Sequence, residues 1–301
     1  MRKGGLFLLF LAIFLFVLPI FISWLFYQQK SGLHGPEIKV YSHSQHKVLT
    51  ISLEEYIVGV VGAEMPAAFH PEALKAQAVA ARTYAWERLQ RAGELGDFAH
   101  DHGGAVLCDD PTHTMAWLEE KEILAKWPRS QAGRYYQKIR EAVSTTVGQI
   151  LLYQGKPIQA LFHASCGGLG TESALEVRGQ DIPYLAGAAC PKTEAQDFPP
   201  QRQHVPAVIS VLSTSQHGTV LQAQVNERSA AGREIRKRFQ LPSARFRVLE
   251  VRAGMSLLEI SGYGHGLGLC QRGANLWGQQ GWDYQRILRH YYKGTEIKKL
   301  Y

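Results

Sequence analysis

An uncharged apolar run from Leu6 to Tyr27 follows Met1-Arg2-Lys3-Gly4-Gly5, and beyond it polar and apolar positions alternate on a much shorter scale. A run of about 20 residues is long enough to cross a hydrocarbon core of roughly 30 Å. Arg2 and Lys3 ahead of it favour an N-terminus held in the cytoplasm. Phe26-Tyr27-Gln28-Gln29 offers no small-residue cleavage site, so an uncleaved anchor is expected. The organisation predicted is a cytoplasmic tip and single transmembrane anchor over residues 1–28, a linker over 29–36, and an extracytoplasmic domain over 37–301.

Past the linker, Ile38–Tyr41 and Lys47–Ile51 predict a hairpin. Leu53–Gly62 reads as a short helix and Ala63-Glu64-Met65-Pro66 as the turn after it, since a proline drives the preceding residue toward extended backbone. Pro71 suits a first helical position and opens a long helix to about Ala92, with Leu74, Ala78, Ala81 and Ala85 on one side. Gly93 to Pro128 is irregular and rich in His, Asp and Gly. Ala132–Thr146 predicts a helix, and Gln149–Tyr153 with Lys156–Phe162 a hairpin. A loop-rich stretch, His163 to Gln203, precedes strands from Val205 to Ile260 around one basic helix, Ala230–Phe239. A Gly-rich loop, Gly262–Gly268, then leads into short helices at Cys270–Gln280 and Tyr284–Tyr292. The expected class is α+β, with helices packed on small antiparallel sheets after an N-terminal transmembrane helix.

A net charge of +7 over 301 residues points to an anionic setting: nucleic acid, a membrane surface or cell wall. Zinc-finger spacing, an RNP motif and a Gly-Lys-Thr phosphate loop are all absent, which argues against nucleic acid. The tight basic cluster Arg233, Arg236, Lys237 and Arg238 reads as a solvated helix face. Four cysteines are too few for a disulfide scaffold.

Three segments resemble the SpoIID family. One runs from Glu55 to Tyr84 and contains Gly62-Ala63-Glu64-Met65-Pro66 and Ala76-Gln77-Ala78-Val79-Ala80-Ala81-Arg82-Thr83. The second is Phe162-His163-Ala164-Ser165-Cys166-Gly167-Gly168, with Pro183-Tyr184-Leu185 downstream. The third is Gly264-His265-Gly266-Leu267-Gly268-Leu269-Cys270-Gln271-Arg272-Gly273, with His290-Tyr291-Tyr292 after it. The resemblance implies a wall-facing lytic transglycosylase of endospore formation, which cuts MurNAc–GlcNAc bonds of peptidoglycan glycan strands and leaves 1,6-anhydro ends. It also implies SpoIIP-like and SpoIIM-like partners in septal wall remodelling and engulfment, and it places the catalytic carboxyl on Glu64.

One carboxyl is chemically sufficient for that reaction. The substrate's own 6-hydroxyl serves as a tethered nucleophile, so a single group can act as acid and then as base. Val60, Val61, Met65 and Phe69 surround Glu64 in sequence and would raise its pKa by desolvation. Lys75 and Arg82, seven residues apart, share a helix face; the resemblance puts both in the site, where they are expected to hold anionic or N-acetyl oxygens of the glycan. Ser165, Gly167 and Gly168 are expected either to offer backbone N–H groups to sugar or to form a plain turn, His265 and Gln271 to face sugar, and Tyr184 and Tyr292 either to stack on rings or to pack in the core. Gln77, on the other side of the helix, is expected to be structural.

His102, Cys108 and His113 form an H-x5-C-x4-H pattern suited to a structural zinc. Some SpoIID relatives bind zinc there with a Cys directly after the last His. Here that position is Thr114, which leaves His100 or Asp109 as substitutes. Cys166 and Cys190 are candidates for a disulfide, and Cys270 for a buried thiol. Two other readings compete: a non-catalytic wall-binding amidase enhancer, in which Glu64 would be dispensable, and a weaker one, a peptidase built on Cys166 and His163.

Overall fold

The computed structural model describes residues 33–192 and 198–301, with the isolated positions 14 and 18. The anchor expected over Leu6–Tyr27 therefore lies outside the described residues. Among those described, no helix is long and apolar enough to cross a membrane.

The chain is α+β, built around two separate hydrophobic cores. The first two strands, β1 (Glu37–Ser42) and β2 (Lys47–Ser52), pair antiparallel with Tyr41 opposite Val48, as the alternation predicts. Helix α1 (Leu53–Glu64) starts where the Ser52 hydroxyl accepts the Glu55 N–H at 3.2 Å, an N-cap that satisfies one of the open donors of the first turn. It ends where Met65, ahead of Pro66, turns extended (φ −120°, ψ 142°). Helix α2 (Pro71–Gln90) begins with His70 as its cap, whose Nδ1 accepts the Glu72 N–H, and buries Leu74, Ala78, Ala81 and Ala85 completely. Its small side chains let it serve as the central helix, packed against α1 and against the later helices of the first core.

The segment after α2 is less irregular than its composition suggests. It holds α3 (Gly96–Asp101), the short strand β3 (Leu107–Cys108), which extends the first sheet in parallel beside β1, and α4 (Glu120–Ala125). Two glycines on α1 make room for it. A Cβ on Gly59 would sit 2.1 Å from Trp117 Nε1, and one on Gly62 would sit 2.6 Å from Ile123 Cδ1. The stretch from Trp117 to Ile123 thus lies directly on the helix that ends in Glu64.

Helix α5 (Arg129–Ser144) leads into β4 (Gln149–Tyr153), which is flanked by β5 (Lys156–Pro157) and by the last strand of the chain. The predicted hairpin arm Lys156–Phe162 is split: β6 (Phe162–His163) leaves that sheet and pairs in parallel with β15 (Leu269–Cys270). This pairing joins the second and third motifs across more than a hundred residues. A further pair, β7 (Thr171–Ser173) and β8 (Ala186–Ala188), flanks the short helix α6 (Ala174–Arg178).

The second core belongs to residues 201–260. Strands β9 (Gln201–Val205), β13 (Phe246–Arg252) and β14 (Met255–Ile260) form one sheet in the order β13-β14-β9. Strands β10 (Ile209–Thr214), β11 (Val220–Val225) and β12 (Arg228–Ala231) form another. The basic helix α7 (Gly232–Arg238) lies against them with Ile235 buried. The chain then returns to the first core through α8 (Gln271–Gln279), α9 (Tyr284–Tyr291) and β16 (Glu296–Lys299).

Candidate functional site

Glu64 is the last residue of α1 and remains partly exposed, with Val60, Val61 and Met65 around it in sequence fully buried. It belongs to the helix end, not to the following turn as the sequence suggests, because the helix continues until proline stops it. Its Oε1 accepts the Ala116 N–H at 3.0 Å, and its carboxyl is also hydrogen-bonded by the Gln271 side chain. Lys126 stands close by, its Nζ donating to the Gly62 and Ala63 carbonyls at 2.7 and 3.1 Å, where a cation also meets the negative end of the α1 dipole. Burial raises the Glu64 pKa above the ordinary carboxylate value; the two hydrogen bonds and Lys126 oppose that rise without cancelling it. The groups acting on Glu64 among the described residues are an amide N–H, a carboxamide and an ammonium, with no second carboxylate.

Gln271, the first residue of α8, is 2% exposed and reaches Gln77 as well, its Nε2 lying 3.4 Å from Gln77 Oε1. The first and third motifs thus meet as a relay from Gln77 through Gln271 to Glu64. Gln77 is structural, as expected, but its place is behind the acid. Gln271 holds the acid instead of turning outward to sugar. Ala116 and Lys126 are neighbours of Glu64 that the sequence does not reveal, because they come from a stretch without a motif that the Gly59 and Gly62 contacts bring onto α1.

Several expected substrate contacts are corrected. Arg82 is 0% exposed and forms a two-pronged ion pair with the equally buried Glu54, Nε to Oε1 at 2.7 Å and Nη2 to Oε2 at 2.6 Å. Its Nη1 also donates to the Gln149 carbonyl at 3.1 Å. Arg82 therefore pins α2 to α1 and β4 and cannot grip a glycan. Lys75 is paired with Glu72 at 2.7 Å and has part of its side chain in solvent. Ser165 is buried; its N–H goes to the Tyr263 carbonyl at 3.1 Å and its hydroxyl accepts the Gly167 N–H at 3.1 Å. Two of the N–H groups expected to face sugar are thus bonded within the protein, one across to Tyr263 and one inside the loop. Gly167 and Gly168 adopt φ of 67° and 75°, the left-handed turn that glycine tolerates. Tyr184 is half-buried against Tyr153, ring centroids 5.6 Å apart, and its hydroxyl accepts the Gln159 N–H. Tyr292 is fully buried and donates to the Leu161 carbonyl at 2.7 Å, so it is core.

His265 lies elsewhere. It lines a cavity of about 340 Å³ together with Glu176, Arg178, Gln222, Arg233 and Arg236, and Glu64 does not border it. Enclosure by the cavity walls, ahead of repulsion from His163, Arg178 and Arg236, pushes the His265 pKa down to about 3, although part of the ring is open to solvent. Arg233 and Arg236 thus line a concavity, where the sequence suggests a plain solvated face. His163 is buried, with Nδ1 bonded to the Leu267 carbonyl at 3.1 Å and a pKa pushed down to about 4, chiefly by burial.

The three residues expected to hold zinc do converge, and a fourth candidate ligand, His43, joins them from the loop after β1. The ligand atoms of His43, His102, Cys108 and His113 all lie within 4.8 Å of one another. His102 donates from Nδ1 to the Phe98 carbonyl at 2.7 Å, which turns the Nε2 lone pair toward His113 Nδ1, 3.3 Å away. His43 Nε2 is buried without a hydrogen-bond partner among the described residues, a cost that a metal would remove. Asp109 sets the His43 loop, its carboxylate accepting the His43 N–H at 2.9 Å and the Ser42 hydroxyl at 3.0 Å. Asp109 and the solvent-exposed His100 are therefore not the fourth ligand. Three imidazoles and one thiol in closed geometry fit a structural zinc. No disulfide joins Cys166 to Cys190; all four cysteines are free of disulfides and buried.

A profile of the stage II sporulation protein family SpoIID matches residues 41–153. Over 87% of its length the chain is 34% identical to the stage II sporulation proteins D of Bacillus amyloliquefaciens and Bacillus subtilis, covering 78% and 79% of those proteins. The amidase enhancer of Bacillus subtilis is 32% identical over a smaller part, 42% of this chain and 14% of that protein.

Proposed function

Because the chain belongs to the SpoIID family of stage II sporulation proteins, we propose that it is a peptidoglycan lytic transglycosylase whose single acid–base group is Glu64. The carrying observation is a lone, partly open carboxyl whose pKa is raised by burial, with no second carboxylate among the described groups that act on it. A two-carboxylate glycosidase needs a partner for that acid; a transglycosylase does not.

The steps follow from the contacts. Protonated Glu64 donates its proton to the glycosidic oxygen as the C1–O bond breaks, and the GlcNAc side leaves as an alcohol. The carboxylate formed is held by hydrogen bonds from the Ala116 N–H and Gln271 and by the charge of the nearby Lys126, groups already in place as its charge develops. It then takes the proton of the MurNAc 6-hydroxyl as that oxygen bonds C1, which closes the 1,6-anhydro ring and restores protonated Glu64. Burial favours the protonated form of the acid, and the two donors with the Lys126 charge keep the anion from becoming prohibitively costly. A zinc held by His43, His102, Cys108 and His113 would brace β1 and β3 behind α1 and takes no part in these steps.

On this reading the protein acts at the wall-facing side of a membrane, held there by the Leu6–Tyr27 segment, in wall remodelling and engulfment during sporulation. SpoIIP-like and SpoIIM-like proteins are its proposed partners.

The test is digestion of purified glycan strands by the full chain and by Glu64→Gln, with mass analysis of the ends. Wild type should release 1,6-anhydro ends, and Glu64→Gln should lose about 10²–10⁴-fold in rate, because an amide cannot shuttle the proton. Reducing MurNAc ends would reveal a hydrolase. Undiminished activity of Glu64→Gln would remove Glu64 from the chemistry, and glycan binding with no cleavage by wild type would favour the amidase-enhancer reading.

A further inference from the structure

Cys166, Cys190 and Cys270 lie far apart in sequence, yet their three sulfurs lie within 4.8 Å of one another in the first core. Each comes from a different segment: the turn after β6, the loop after β8, and the last residue of β15, which caps α8. Four further features distinguish the cluster from thiols that merely fill space. Cys270 hydrogen-bonds both other thiols. Its Sγ also accepts two backbone N–H groups, from Cys166 and Gly273, each at 3.3 Å. Such donors stabilise a thiolate, as does the N-terminus of a helix. Tyr291, itself 1% exposed, brings its hydroxyl to 3.1 Å from Cys190 Sγ. Gly273 leaves the space open: a Cβ there would stand 2.3 Å from the Tyr291 oxygen and 2.7 Å from Cys190 Sγ.

We propose that Cys166, Cys190 and Cys270 form a second, closed metal site for a thiophilic d10 cation, with zinc(II) the best match and copper(I) the same donor chemistry. Thiolates select such ions. Sulfurs bound at about 2.3 Å to one centre are about 3.8 Å apart, so the cluster needs to close by no more than about 1 Å. Binding releases the three thiol protons to solvent and changes no oxidation state. The remaining charge decides between the two ions: three thiolates around zinc(II) leave one negative charge, and around copper(I) two. Buried net charge is costly, and the two N–H donors on Cys270 answer one charge better than two. The Tyr291 oxygen, 3.1 Å from Cys190 Sγ, is a candidate fourth ligand for zinc.

The consequence reaches the acid. Cys270 directly precedes Gln271, which holds Glu64, so a metal here would clamp the second motif, the Cys190 loop and the start of α8 into one unit behind the relay. The role is positional, since the sulfurs are buried away from substrate.

The test starts with the full chain in detergent, purified without chelator and analysed for zinc and copper, beside Cys270→Ser and Cys108→Ser. Cys270→Ser should lose about one equivalent of metal relative to wild type, and that equivalent should persist in Cys108→Ser, which disrupts only the His43–His102–Cys108–His113 cluster. Zinc or copper in that equivalent identifies the ion. Should the variants fail to fold, wild type alone decides. Native protein should protect these three thiols from alkylation until a chelator is added, and protein denatured without reductant should then take up four labels. Two labels would mean that a disulfide occupies the cluster. Rapid alkylation with no effect of chelator, or equal metal content in Cys270→Ser and wild type, would reduce the cluster to packed thiols. Any of these outcomes overturns the site and leaves the Glu64 assignment untouched, because cleavage is assayed separately.

Discussion

Replacing Arg82 by alanine separates a substrate-binding role from a structural one. Both members of the Arg82–Glu54 pair are fully buried, so salt screens them little. Removing the guanidinium leaves the Glu54 carboxylate, among the described residues, with the Gly148 N–H at 3.2 Å and the Tyr301 hydroxyl at 2.5 Å, and it strands the Gln149 carbonyl. Breaking one side of a buried pair costs about 3–5 kcal/mol, since the other charge stays behind uncompensated. That is a large share of the roughly 5–15 kcal/mol that holds a typical domain together. Arg82→Lys should lose less, keeping the charge but not the fork of two parallel bonds. Arg82→Met combined with Glu54→Leu should recover most of the loss, because no lone charge remains. Denaturant unfolding of each variant gives the magnitudes, and co-sedimentation with glycan strands gives binding. Arg82→Ala within about 1 kcal/mol of wild type, with clearly weaker glycan binding, would refute the buried-pair reasoning and return Arg82 to the substrate.

Other outcomes follow from the same contacts. Glu64→Gln should be more stable than wild type at pH 7, with the advantage fading in acid. A carboxyl whose pKa is raised on folding binds its proton more tightly in the native state, so wild-type stability falls as pH rises from the unfolded pKa through the folded one, whereas the amide does not titrate; melting temperatures across that range check the sign. Lys126→Met removes a charge that lowers the Glu64 pKa, so the alkaline limb of kcat/KM should move to higher pH, at some cost in stability from the Gly62 and Ala63 carbonyls it leaves unbonded. An unmoved limb would separate Lys126 from the acid. His43→Ala should lower zinc content and melting temperature together, while His100→Ala should change neither; equal effects would disprove His43 as the fourth ligand.

Much of this protein is local and was therefore legible in the chain. The stop at Pro66, the start at Pro71 and the alanine-rich side of α2 are short-range physics, and they place two helices within a few residues of their true ends. Glu64 is singled out by the resemblance of its motif to the SpoIID family, with apolar neighbours in sequence that favour a raised pKa, while its place at the end of α1 comes only with the structure. The direction in which a side chain points was not local. Lys75 and Arg82 share a helical face by spacing, but one end of α2 meets solvent and the other runs beneath Glu54 and Gln149, so equal angles gave opposite environments. Gln271, Ala116 and Lys126 reach Glu64, and His43 joins His102, only because strands and glycine contacts fold segments tens to hundreds of residues apart onto one another. Spacing along a chain sets which residues can share a helix or turn. Which of them meet is decided by the burial of two cores, a property of the whole fold.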